Sequence, residues 1–125
     1  MSFFEAVGVC LGKYATFSGR ASRAEYWWFM LFIMLCAMII NAIVAPFAGA
    51  NAGASVASVF LLAMLVPTFA VGARRLHDMN SSGWWQLLHF TGIGALALTI
   101  WMIFPGTLGA NRFGQPVVPA LEDEA

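Results

Sequence analysis

"RRLHDMNSSGWW", residues 74–85, sets two arginines, a histidine and an aspartate between long apolar stretches. No Asp, Glu, Lys or Arg occurs from Tyr26 to Ala73, and from Met79 to Asn111 His89 is the one basic or acidic side chain. The whole chain of 125 residues is 61% apolar and 10% charged, where soluble domains carry roughly 25% charged residues. That is too little polar material to cover a surface facing water. The composition reads as one membrane domain over residues 1–125.

Three apolar stretches are about as long as the roughly 20 residues that a helix needs to cross a bilayer. They are "YWWFMLFIMLCAMIINAIVA" (26–45), "SVASVFLLAMLVPTFAVGA" (55–73) and "WWQLLHFTGIGALALTIWMIF" (84–104). An arginine at mid-bilayer costs about 2.5–3.5 kcal/mol on insertion scales, so the second span ends by Ala73 and leaves Arg74 and Arg75 at an interface. "PFAGANAGA" (46–54) suits a short turn between antiparallel helices. The first apolar run starts too late and runs too long for the core of a cleaved signal.

Residues 1–18 have a different pattern. Phe3, Val7, Cys10, Tyr14 and Phe17 recur at helical spacing and form an apolar stripe, with Glu5 and Lys13 off it. Such a helix would lie on the membrane surface. Ser2 with Glu5, and Ser22 with Glu25, have the spacing of a capping box. Cys10 and Cys36 read as small packing residues. The expected fold is therefore an all-α membrane protein: an N-terminal amphipathic interfacial helix, three transmembrane helices, and a polar tail over 105–125. With the N-terminus cytoplasmic, Lys13, Arg20, Arg23, Arg74 and Arg75 fall inside and Arg112 outside, the basic bias expected of that orientation. The C-terminus, with its acidic "LEDEA" end, would then lie outside.

"GRASRAEYWW" (19–28) repeats the grammar of the 74–85 stretch: two arginines, one acid and a tryptophan pair at the mouth of an apolar helix. Both fall on one membrane face in this topology. Glu25 would pair with Arg74 or Arg75, and Asp78 with Arg20 or Arg23, in a partly dehydrated layer where such pairs are less screened than in water. Trp27, Trp28, Trp84 and Trp85 would frame the layer as interfacial anchors. Asn111 to Pro116, "NRFGQP", would form a turn on the opposite face.

"F-x-GRASRAEYWWF", "P-x-x-A-V-x-ARRLHDMNSSGWW" and "PGTLGANRFG", in that order over nearly the whole chain, resemble the domain of unknown function 805 family, the small YhaH-type bacterial inner-membrane proteins. The resemblance implies a bacterial plasma-membrane location and a three-helix membrane fold, and it supplies no activity. Its signature falls on Gly19, Arg20, Arg23, Glu25 and Trp27, then on Pro67, then on the run Arg74 to Asp78 with Ser82 to Trp85, and last on Asn111 to Gly114. Relatives commonly have a proline in the third span, where this chain reads "HFTGIG" (89–94).

The leading functional expectation is a non-enzymatic scaffold or adaptor. Arg20, Arg23, Glu25, Arg74, Arg75, His77 and Asp78 would form a surface on the cytoplasmic side for anionic phospholipid headgroups, a membrane-protein partner or a second copy. An oligomeric transporter or channel is the alternative, with Pro67 as a helix kink whose freed carbonyl Thr68 would help satisfy, and with Asn41 and His89 as polar groups at membrane depth. A headgroup-modifying enzyme is the third reading, with His77, Asp78, Ser81 and Ser82 as nominal candidates that equally suit a turn and a helix cap. His77 and His89 are too few ligands for a metal site, so neither metal nor cofactor is expected. With six basic residues balanced by six acidic ones, nucleic acid is excluded as a partner.

Overall fold

A computed structural model of the chain describes residues 2–116, and the "LEDEA" end of the polar tail lies outside them. Serine sets the first two helix starts. Ser2 Oγ accepts the Glu5 amide at 3.2 Å and opens α1 (Phe3–Gly12); Ser22 Oγ does the same for Glu25 at 3.2 Å and opens α2 (Arg23–Ala48). Each hydroxyl satisfies an amide that has no acceptor within the helix. α1 packs its Phe3 ring against Trp28 and Phe32 of α2, with Ala6 and Cys10 buried. It stops at Gly12, so Tyr14 and Phe17 leave the helical stripe expected of them.

α2 is long and apolar enough to cross a bilayer. It runs through Pro46 and ends at Gly49, whose φ of +96° reverses the chain without the strain a side chain would add. The turn expected over 46–54 is thus one residue, because the alanines on either side sustain helix up to it. α3 (Ala50–Ala63) returns antiparallel, and a Cβ at Gly53 would overlap the Asn41 side chain and crowd Ala45. This small residue lets the two helices close on each other.

α4 (Leu65–Asp78) continues from α3 after a bend of 48°, and the bent pair together is long and apolar enough for a second crossing. Pro67 has no N–H for the Ala63 carbonyl. The Tyr14 hydroxyl, not Thr68, donates to that carbonyl, and the ladder resumes with Thr68 N–H on the Met64 carbonyl at 3.0 Å. The segment after α1 therefore braces the bend between α3 and α4.

The expected third span, 84–104, is built differently. Residues Gly83–Phe90 form a 3-10 helix capped by Ser82, Thr91 breaks the chain in an extended conformation, and α5 (Gly92–Trp101) begins with the Thr91 hydroxyl accepting the Gly94 amide. The two halves pack antiparallel. Trp85 meets Trp101 edge-on at 6.0 Å near the open end, and Gly94 lies so close to Leu88 near the tip that a Cβ there would overlap the Leu88 carbonyl. One uninterrupted helix is thus replaced by a helical hairpin whose two ends lie together. Hydropathy over 84–104 is the same for a crossing as for a hairpin. The difference is made by the cap at Thr91 and the close approach at Gly94.

Residues 105–114 fold back over the ends of α2 and α4. The Thr107 amide donates to the Asp78 carbonyl at 2.7 Å, and an isolated bridge joins Asn111 to Gly114. Beneath them the core gathers Cys10, Ala21, Tyr26, Phe29, Val71, Leu76, Leu98 and Met102. Burial beside Glu25 pushes the Cys10 thiol up to about 12, so it packs as a neutral group.

Candidate functional site

The charged residues converge at the end of the bundle where α2 starts, α4 stops and the hairpin opens. Glu25, in the first turn of α2, pairs with Arg74 of α4, both fully buried. Its carboxylate therefore serves the guanidinium and not the reciprocal half of a capping box. Arg74 Nε also donates to the Thr16 carbonyl at 3.1 Å, and the Arg74 carbonyl accepts the Ala21 amide at 2.9 Å. Asp78 sits between two arginines, at 2.9 Å from Arg20 Nε and 3.0 Å from Arg75 Nη1. The local partner of Asp78 on α4 is thus Arg75, three residues away, rather than Arg74.

Backbone carbonyls complete this network. Arg20 donates to those of Gly109 and Thr107, each at 2.6 Å, and to that of Gly114 at 3.2 Å; Arg75 donates to those of Met102 and Phe104. Those of Met102, Phe104, Thr107 and Gly109 lie at the loose end of α5 and in the fold-back after it, beyond helix or sheet pairing, while that of Gly114 also accepts the Asn111 amide at 3.0 Å. Asp78, Arg20 and Arg75 fix both ends of that segment to α4. A Cβ at Gly106 would overlap the Asp78 carboxylate. Arg20, Arg74, Arg75, Glu25 and Asp78 are all buried, while Arg23 is half-buried and reaches toward the Ile103 carbonyl at 3.5 Å.

The "NRFG" turn belongs to this same layer, which corrects the expectation that it faces the other side. Asn111 Nδ2 donates to the His77 carbonyl at 2.9 Å, and Arg112 donates to both Asn80 oxygens at 3.3 Å. The Phe113 ring stacks on the His77 ring at 4.0 Å with an interplanar angle of 4°, and the Arg112 guanidinium lies 4.7 Å from the Phe113 centroid. Sequence reasoning missed this sandwich because 34 residues separate Asn111 from its partner. Trp27, Trp28, Trp84 and Trp85 are exposed around the layer, and Trp27 Nε1 also donates to the Met102 carbonyl at 3.2 Å.

His77 stands apart from the ion pairs. Its Nδ1 lies 2.9 Å from the Gly19 carbonyl, an acceptor, so Nδ1 carries the proton and Nε2 is left as an acceptor in the neutral ring. Asp78 is turned to the arginines and Ser82 Oγ caps the 3-10 helix, so these three residues do not form a nucleophile–base–acid relay. His77 also lies on the wall of a cavity of about 630 Å³ between α4 and the 3-10 helix, lined mostly by apolar side chains such as Phe69, Leu87 and Phe90.

Residues 14–115 match the family described as "Protein of unknown function (DUF805)". Among similar proteins, inner membrane protein YhaI of Escherichia coli K12 is 41% identical over 105 residues, covering 83% of this chain and 87% of its own. Inner membrane protein YhaH of the same strain is 35% identical over 107 residues, covering 83% and 88%. No solved structure matches. By this match over most of its length, the chain belongs to DUF805, a family of inner-membrane proteins whose molecular function is uncharacterised.

Proposed function

We propose that the protein is a non-enzymatic membrane scaffold in which the Arg/acid layer is the keystone of the fold, and that the exposed rim around it meets partners. One observation carries this reading: Arg20, Arg74 and Arg75 are buried and spend their hydrogen bonds on the chain's own carboxylates and carbonyls. The groups left for partners are the exposed Trp84 and Trp85, the half-buried His77 and the Arg112–Phe113 pair. Anionic phospholipid and a membrane-protein neighbour are the partners that fit an apolar rim with cationic tips.

In this reading α2 and the bent α3–α4 pair cross the membrane, and the hairpin enters and leaves on one face. Arg112 then joins Lys13, Arg20, Arg23, Arg74 and Arg75, so all six basic residues lie on the cytoplasmic side, a stronger bias than three crossings would give. A fluorescent-protein fusion at the C-terminus is expected to fluoresce, and a phosphatase fusion there to be inactive. The reverse pattern would restore the third crossing.

Photocrosslinking in cells from position 84 tests the scaffold itself. The expected adducts are phospholipid or a membrane protein. A probe that captures neither, in protein verified as inserted, overturns the reading. A second reading, a subunit of an oligomeric transporter, draws support from the kink at Pro67; solute flux in liposomes would favour it over the scaffold.

A further inference from the structure

The cavity beside His77 has a polar end and an apolar end. Phe69, Ala73 and His77 follow one another every four residues along one face of α4 and form one wall. By helical rise this wall is about 12 Å long. The 3-10 helix, Gly83–Phe90, with its cap Ser82 forms the other wall, and Phe113 stands at the His77 end. The groove thus runs from the charged layer toward the apolar interior of the bundle's height. Its volume of about 630 Å³ lies in the range of roughly 300–1,000 Å³ typical of small-molecule sites.

We infer that this groove holds one acyl chain of phosphatidylglycerol, with the phosphodiester at Arg112 and a headgroup hydroxyl at His77 Nε2. The inference rests on the scaffold reading and adds a site and a headgroup to it. Three features select this occupant. The groove walls Phe69, Leu87 and Phe90 match a hydrocarbon chain. At the mouth, the neutral His77 ring offers an acceptor, because its Nδ1 proton is spent on Gly19, and the adjacent Arg112 on the Phe113 ring offers a charged donor. Among the described residues Arg112 is exposed and in no ion pair, so its charge favours an anionic headgroup over a zwitterionic one.

Purified full-length protein would be exchanged into mixed micelles holding equal amounts of phosphatidylglycerol and phosphatidylcholine with the same acyl chains, and read by native mass spectrometry. One phosphatidylglycerol per chain is expected to be retained, with a preference of about tenfold or more over phosphatidylcholine, whose choline ammonium offsets the phosphate charge that Arg112 meets. Arg112→Gln, at an exposed position, is expected to erase the preference and leave helicity unchanged. Leu87→Trp, which fills the groove from its half-exposed wall, is expected to abolish retention of either lipid. Equal retention of the two lipids, no retention at all, or retention indifferent to Leu87→Trp in folded protein would each overturn the inference. Capture of a protein partner from position 84 in cells would still leave the scaffold standing, so the two fail separately.

Discussion

Asp78→Asn is expected to destabilise the protein by about 3–5 kcal/mol, the usual cost of removing one partner from a buried ion pair. The carboxylate is the shared counter-charge of Arg20 and Arg75, and all three groups are within a few per cent of full burial. An asparagine keeps the shape and withdraws the charge that both buried guanidinium groups face. The damage would reach beyond the pair. Arg20 and Arg75 are also what tie residues 102–114 to α4, so the open end of the hairpin and the His77–Phe113 stack should loosen together. Thermal unfolding in detergent, with steady-state level in the membrane as a second readout, measures this. Arg112→Gln, on the exposed rim, provides the contrast at under about 1 kcal/mol. If Asp78→Asn matched that contrast, the layer would not be the keystone of the fold.

Glu25→Leu is expected to be as harmful alone, at about 3–5 kcal/mol, and to be largely rescued by Arg74→Met in the same chain. Removing only the acid strands a fully buried guanidinium. Removing both withdraws a pair whose attraction roughly offsets its own desolvation. The pair is also imperfectly satisfied, since Glu25 Oε1 and Arg74 Nη2 have no hydrogen-bond partner. The double variant still loses the Arg74 bond to the Thr16 carbonyl, worth about 1 kcal/mol, and should settle within about 1–2 kcal/mol of the natural protein. A double-mutant cycle by chemical unfolding reads the coupling directly. Additive losses would mean that the two side chains act independently.

Much of this architecture was legible in the chain. Ser2 and Ser22 announce two helix starts, and the matching pattern of 19–28 and 74–85 brings two charged segments together. The pairs Glu25–Arg74 and Asp78–Arg20 are among the four combinations which that pattern allows. The path of residues 84–104 was not legible. A window of hydropathy sums residues without regard to direction, and the hairpin depends on contacts such as Trp85 with Trp101 that only tertiary structure brings together. The carbonyl acceptors of Arg20 and Arg75 were equally hidden, since every residue has a carbonyl and side-chain identity says nothing of which ones are left unsatisfied. Pro67 showed that a carbonyl would be freed. That Tyr14 would claim it depends on where α1 stops, a local ending at Gly12 that the continuing apolar stripe concealed.

The separation of the paired groups along the chain, 49 residues for Glu25 and Arg74 and 58 for Arg20 and Asp78, bears on biogenesis. The earlier partner of each pair emerges from the ribosome long before the later one exists. Because both partners of every pair end up at the same rim of the bundle, neither has to be carried through hydrocarbon to meet the other. In the topology proposed above, the early groups would wait hydrated at the leaflet where synthesis delivers them, while only uncharged polypeptide is pushed inward. The Glu25–Arg74 and Arg20–Asp78 pairs can close only once α4 has been made.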